Sequence, residues 1–412
     1  MVRTHPITAL TAVLICTIAS ALPREDAYRP KVMPDRIVLT WSGDPTVSQS
    51  VTWRTDTTVK KAFAQITEAD PGPNLAQKAE IVDATTSELA TKTWAANYHS
   101  ATFRNLKPDT LYAYRVGDGI NWSEWLQFRT ASTKRQAFSF LYFGDAHSGI
   151  LSVTSRVIRE AFKASPNAKF IAFGGDLVAN GNDDLLWGEL FDTGGWLFGM
   201  IPMIPALGNH EYVRSGFSFR LTKHWRSQFT LPENGPKGLE EYAYYTDYQG
   251  VRIIALNSSM KVGKQAAWLR EVLANNPNRW TIAIFHHPVF SVNTDQNEEI
   301  RREWKPIFDK YKVDLVLTGH DHAYGRSSLQ GATVYVTSVC GSKMYTHHRQ
   351  AWMRRVAENT QLFQVISIDG DKLSYEARTA TGALYDALEL QKQSGTVNRL
   401  VDLIPADVPE RL

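Results

Sequence analysis

Cysteine is nearly absent from this chain. Its 412 residues hold two, Cys16 and Cys340, and Cys16 falls inside an N-terminal stretch that reads as a removable leader. Once the leader is gone only Cys340 remains, so no intramolecular disulfide can staple the mature fold, even in an oxidising compartment. Long apolar runs are lacking too. Past the N-terminus nothing approaches the roughly 18 residues that a membrane helix needs. An excess of either charge is also missing: 45 Lys and Arg stand against 42 Asp and Glu, a net of +3. That balance excludes a chain that binds nucleic acid or an anionic membrane through its overall field, so any attraction for anions must be local. There is no internal repeat and no low-complexity segment.

The leader occupies residues 1–21. Arg3 supplies a positive start, Ile7 to Ile18 an apolar core, and Ala19-Ser20-Ala21 a small-residue cleavage site. The expected destination is therefore secreted or periplasmic. Asn121-Trp122-Ser123 and Asn257-Ser258-Ser259 match glycosylation acceptors, a pattern with meaning only in a eukaryotic host.

Residues 30–132 read as an all-β module. RIVLTW, SVTWRT, KAFAQIT, AEIVDA, HSATFRNL, LYAYRVG and EWLQFRT alternate with turn residues such as Gly43-Asp44-Pro45, and short strands at this spacing predict a β-sandwich. Leu106 to Val116 resembles the later strands of fibronectin type III-like domains, in which a tyrosine packs a corner. Tyr112 and Tyr114 are accordingly read as structural. The tryptophans Trp41, Trp53, Trp94, Trp122 and Trp125 are assigned to packing rather than to a carbohydrate platform. A short polar linker, residues 131–136, follows. From 136 to about 390 apolar strands alternate with helical patterns such as SRVIREAFKA and EEIRREWKPIFDKY, the signature of a layered α/β domain. Residues 391–412 are less regular and read as a tail.

The chemistry lies between Phe138 and Arg326. Five buried-strand patterns, FSFLYF, KFIAF, MIPAL, WTIAIF and DLVLT, run in turn into Gly144-Asp145-Ala146-His147, Gly175-Asp176, Gly208-Asn209-His210-Glu211, His286-His287 and Gly319-His320-Asp321-His322. Ligands of open α/β sheets bind beyond the carboxyl ends of the strands, so these five ends predict one converging site. Six of the eleven histidines sit in these motifs. Carboxylates and imidazoles suit divalent first-row metals such as zinc, manganese or iron. In an extended Gly319–His322 segment alternate side chains share one side, which would let His320 and His322 serve two neighbouring ions. The glycines before Asp145, Asp176, Asn209 and His320 allow tight turns there.

In order and spacing these motifs resemble the calcineurin-like metallophosphoesterases. With the preceding sandwich and Gly-His-Asp-His-Ala-Tyr-Gly-Arg, the chain looks more narrowly like the purple acid phosphatase branch. The resemblance implies a metallophosphoesterase α/β (α+β) sandwich behind a fibronectin- or Ig-like one, and two divalent ions in the active site. It implies that Asp145, His147 and His322 hold one ion and Asn209, His286 and His320 the other, with Asp176 bridging. His286 is chosen over His287 because the family's ligand comes directly after the strand, two residues before Pro288. His210 resembles the family histidine that contacts substrate and protonates the leaving oxygen. The ions bring four positive charges and Asp145 and Asp176 return two, a pocket of about +2 that favours a phosphate group. Coordination also brings water toward ionisation near neutral pH, so hydroxide is available as nucleophile.

Two linked departures stand out. The purple branch has a tyrosine three residues after its bridging Asp, where this chain has Ala179, and usually a glycine where this chain has His147. Tyrosine has been exchanged for histidine, which implies divalent metals and little colour. The loop SVNTDQNEE also lacks the substrate-gripping histidines of plant members, a role that His347 and His348 could take from another loop. The expected activity is hydrolysis of a phosphorylated small molecule, in the manner of an acid phosphatase. A phosphodiesterase or nucleotide hydrolase on the same site stays open, as do a non-catalytic surface or adhesion protein with a vestigial esterase domain and a redox metalloprotein.

Overall fold

A computed structural model describes residues 24–215, 218–293 and 297–412. Residues 1–21, read as a leader, lie outside them, as do residues 294–296 of the SVNTDQNEE loop.

The N-terminal module is built from two four-strand layers. One comprises Phe63–Glu68, Glu80–Asp83, Leu111–Gly117 and Leu126–Arg129. The other comprises Asp35–Thr40, Gln49–Thr55, Ala95–Phe103 and Thr85–Ala90. Leu39, Val51, Trp53, Ala64, Ile66, Phe103, Tyr114 and Phe128 fill the space between them. The strand Thr85–Ala90 had no counterpart in the sequence reading. Its residues are exposed except for Leu89, so an edge position leaves no apolar alternation to read. Tyr112 accepts a hydrogen bond from the Lys107 backbone at 2.9 Å, and Tyr114 donates to the Gly199 carbonyl at 2.6 Å.

The second layer does not end with the module. Thr40 pairs in parallel with Met203, so the sheet continues through Met203–Pro205, Ile171–Phe173 and Phe138–Phe143. It then runs antiparallel through Leu362–Asp369, Lys372–Thr379, Leu384–Gln391 and Arg399–Asp402, eleven strands in all. Residues beyond 391, read as a tail, thus contribute an edge strand. A seven-strand sheet faces it, with Val251–Ala255, Trp280–Ile284, Leu315–Thr318 and Val334–Thr337 parallel at its centre.

Strand periodicity sorts the core into layers. Ile282 and Ile284 point inward to meet Phe140, Tyr142, Ile171 and Phe173 of the larger sheet. Ala283 and Phe285 point outward, under the helices Val262–Ala274 and Glu298–Tyr311, against Leu269, Trp304 and Phe308. The five motif-bearing strands are therefore divided between two facing sheets, and their carboxyl ends meet along one edge of the sandwich.

A buried ion cluster joins the β-module to the rest. Asp184, which opens the helix Asp184–Gly194, takes Arg36 at 2.9 and 2.8 Å, Arg54 at 3.0 Å and the Trp94 indole at 3.0 Å from the module, together with His224 at 3.2 Å. These donors hold its carboxyl well below the usual carboxylate range, although burial acts the other way as the largest single influence.

Candidate metal centre

The site is assembled from strained loops. Asp145, Asp176, His320 and His322 all have positive φ, at 34°, 51°, 75° and 51°, a left-handed conformation that non-glycine residues adopt mainly where surrounding structure enforces it. The two histidines of Gly319–His322 are thus not an extended pair with alternating sides. Each stands in its own left-handed turn, which sends His320 toward one part of the site and His322 toward another. The preceding glycines matter at close range: a Cβ on Gly208 would collide with Asp176 Oδ1, and one on Gly319 with Asp145 Oδ2.

Asp176 lies at the middle. Its Oδ2 is 3.1 Å from His286 Nε2, 3.8 Å from His147 Nε2 and 3.8 Å from His210 Nε2, while Oδ1 accepts the His210 N–H at 2.8 Å. On one side Asp145 Oδ1 is 3.7 Å from His322 Nε2 and 4.0 Å from His147 Nε2, and those two nitrogens are 3.2 Å apart. On the other, His286 Nε2 is 3.0 Å from Asn209 Oδ1 and 3.1 Å from His320 Nδ1. The structure therefore brings together all seven expected ligands in two groups that share Asp176. His287 is placed differently, with Nδ1 on the Ser258 hydroxyl at 3.0 Å and its ring 4.2 Å from that of His320. His347 is turned against Glu358, 3.9 Å away.

The hydrogen bonds behind the rings fix which nitrogen is available. His322 Nδ1 donates to the Lys343 carbonyl at 2.9 Å and His286 Nδ1 to the Gly174 carbonyl at 3.1 Å. His147 Nδ1 meets the Ser148 hydroxyl at 3.0 Å. A carbonyl only accepts, so the Nε2 atoms of His322 and His286 carry lone pairs whenever those rings are neutral. Burial keeps His147 and His320 neutral, pushing both down to about 3, and His322 down to about 4. His286 behaves oppositely: burial disfavours its charge, but the Asp176 carboxylate outweighs this and raises it to about 9. Imidazole nitrogens, the Asn209 amide oxygen and carboxylate oxygens thus converge on one space, and Asp145 Oδ1 is buried without any hydrogen-bond partner. Cations satisfy such an arrangement, and this donor set fits divalent first-row metals.

One residue of the motifs acts in a way the sequence did not reveal. Glu211 is fully buried, and its carboxylate accepts the backbone N–H groups of Asp176, Leu177 and Gly208 at 2.9, 2.9 and 2.8 Å. It ties the loop of the central carboxylate to the loop of Asn209, and burial followed by the Asp176 charge pushes it up to about 7. Asp321, between the two histidines, takes the Val292 N–H at 2.6 Å and anchors the loop after Pro288. Arg326, at the end of the same motif, is buried on Asp386 and Asp402 at 2.8 and 2.7 Å. At Ala179 the backbone alone is engaged, its carbonyl accepting His210 Nδ1 at 2.6 Å.

Comparison with known proteins agrees with this geometry. Residues 34–130 match the family described as "Purple acid Phosphatase, N-terminal domain", and residues 138–324 match "Calcineurin-like phosphoesterase". An uncharacterised protein of Mycobacterium tuberculosis is 31% identical over 273 residues, 56% of this chain and 51% of that protein, so the match spans about half of the relative's length. Acid phosphatase type 7 of Homo sapiens is 26% identical, covering 72% of this chain and 71% of its own. The fold of purple acid phosphatase PPD1 from yellow lupin seeds superposes with a TM-score of 0.75 at 18% identity, over 88% of this chain and 75% of that one. Among the described residues no helix is long and apolar enough to cross a membrane. The family and two clusters of candidate ligands, the buried Asp145, His147, Asp176 and His322 and a second of buried His286 with half-buried His287 and His320, imply a binuclear metal centre. The chain belongs to the calcineurin-like metallophosphoesterases, in the purple acid phosphatase-like branch that carries the N-terminal β domain.

Proposed function

We propose that the protein is an exported, binuclear-metal hydrolase of phosphate monoesters, in which Asp145, His147 and His322 hold one divalent ion, Asn209, His286 and His320 hold the second, and Asp176 bridges them. The observation that carries this reading is the meeting of imidazole nitrogens, the Asn209 amide oxygen and two carboxylates around one space, where Asp145 Oδ1 is buried without a hydrogen-bond partner. When bound, two divalent ions (zinc, manganese or iron) supply Lewis acidity and an acidified water. The protein's part is positioning and electrostatics, which phosphoryl transfer mainly requires. Glu211 and the carbonyls of Gly174 and Lys343 lock the ligand loops and ring orientations before substrate arrives. His210 lies at the rim, its side chain 31% exposed, with Nδ1 committed to Ala179 and Nε2 facing the site. A proton on that Nε2 is placed for a leaving oxygen. His147 takes the place that tyrosine holds in purple members, and as a neutral ligand it favours divalent over trivalent ions.

The test combines metal analysis with turnover of 4-nitrophenyl phosphate and bis(4-nitrophenyl) phosphate. Two ions per chain and faster turnover of the monoester are expected. Asp176→Asn should abolish most of the activity and keep the fold, because an amide cannot bridge two cations with charge. A protein that holds two metals yet cleaves neither ester would be the vestigial, non-catalytic one.

A further inference from the structure

The loop that follows Cys340 is bound along its length to the Asp145 and His322 side of the site. Gly341 N–H donates to the Asp145 carbonyl at 2.8 Å, Ser342 N–H and Oγ donate to the Ser148 carbonyl at 3.2 and 2.7 Å, and Tyr345 N–H donates to the His322 carbonyl at 3.0 Å. The Lys343 carbonyl receives His322 Nδ1. Tyr345 is 42% exposed, and its ring stacks on the His322 imidazole at 4.6 Å and 26°. The Lys343 ammonium lies 5.1 Å from the centre of that same ring. It is half-buried and makes no hydrogen bond or ion pair with any described residue.

We propose that Lys343 is a substrate-binding residue, its ammonium taking a non-bridging oxygen of the substrate phosphate on the His147–His322 side of the centre, with the Tyr345 ring as the adjoining wall. This rests on the phosphoesterase reading and names the substrate class within it. The Lys343 ammonium sits on a pinned loop with no counter-ion among the described residues, so an arriving anion meets a cation that is already in place. With two divalent ions, Asp145, Asp176 and Lys343, the local charge is about +3, and a dianionic ester gains more from it than a singly charged diester does.

The experiment uses the metal-loaded, full-length protein as wild type, Lys343→Met and Lys343→Arg. It reads metal content, orthophosphate binding by calorimetry, and kcat/KM for the mono- and bis-nitrophenyl esters. Expected for Lys343→Met is two metals per chain, phosphate affinity and monoester kcat/KM both lower by about 10–100-fold, and diester kcat/KM within about threefold. Lys343→Arg should recover most of the loss. Unchanged phosphate affinity in Lys343→Met, or equal losses on both esters, would overturn the assignment. If wild type cleaves neither ester, the phosphoesterase reading falls, and phosphate affinity alone then decides whether Lys343 belongs to an anion site.

Discussion

Replacing Asp184 with alanine removes the one carboxylate that compensates a buried arginine between the two halves of the molecule. Arg36 and Asp184 each expose 3% of their side chain, and Arg54 exposes 1%. After truncation Arg54 keeps Asp35, at 2.8 and 2.7 Å. Arg36 keeps only the Tyr98 hydroxyl at 3.0 Å and the carbonyl of residue 184 at 2.9 Å, neither of them charged. Breaking a buried pair by deleting one partner costs about 3–5 kcal/mol, because the remaining charge stays desolvated. Unfolding entropy is about 2.1 cal/mol/K per residue, so 412 residues give about 0.9 kcal/mol/K, and the loss becomes a fall in Tm of about 3–6 °C. Asp184→Asn, which keeps an acceptor oxygen but no charge, should fall between wild type and alanine. Differential scanning calorimetry reads the shift. Urea unfolding followed by both tryptophan fluorescence and circular dichroism shows whether the β-module now melts separately. A Tm within 1 °C of wild type for Asp184→Ala would refute the reasoning, since it would mean that Arg36 regains solvent at no cost.

His210→Ala should lower turnover by about 10²–10⁴-fold, the span of general acid–base catalysis, while two metals remain bound; loss of one metal would instead make His210 a ligand. The defect should shrink for a nitrophenolate leaving group, which needs no proton. His147→Ala should weaken one metal site and leave the other largely occupied, and the iron-loaded wild type should be at most faintly coloured. An intense visible band would mean that a tyrosine reaches the metal, although Tyr324 is engaged with Asp386 at 2.6 Å and Tyr212 with Asn257 at 2.6 Å. His99 predicts a pH effect on stability. Fully buried between Thr55 and Thr86, at 2.8 and 2.9 Å, it is pushed by burial down to about 4. The unfolded chain, with a histidine near 6.5, therefore takes up the proton first, so stability is intact above about pH 6.5 and falls by up to about 3 kcal/mol on approaching pH 4. Urea midpoints at pH 7 and 4.5 should differ more for wild type than for His99→Gln, and equal differences would count against this.

Much of the candidate site was legible in the sequence because its expected ligands lie within a few residues of strand ends. A strand that leaves the core must turn at once, and a turn carrying Asp, Asn or His beside glycine is a local pattern. Ser258, Lys343 and Tyr345 carried no such mark. Lys343 stands in an irregular loop, and only its bond from His322 and the pinning of Gly341 and Ser342 to Asp145 and Ser148 bring it to the site. Glu211 was visible as a letter of its motif but not as a clasp, because two of its three donors, Asp176 and Leu177, lie 35 and 34 residues earlier in the chain.

The sequence by itself determined the five motif-bearing strands, the βαβ alternation and the residue types at each of those strand ends, since periodicity and turn chemistry are properties of neighbouring residues. Tertiary structure decided what depends on distant partners. It divided the five strands between two sheets, joined the β-module to the larger sheet through Thr40 and Met203, and turned His320 and His322 apart by left-handed backbone rather than by extended alternation. It also enlisted residues beyond 391 as an edge strand and set Arg36 and Arg54 on Asp184, about 130–150 residues away along the chain. Burial and pairing across such separations arise only when layers pack. For that reason the residue types that converge could be read from the chain, while their charges, tautomers and supports could not.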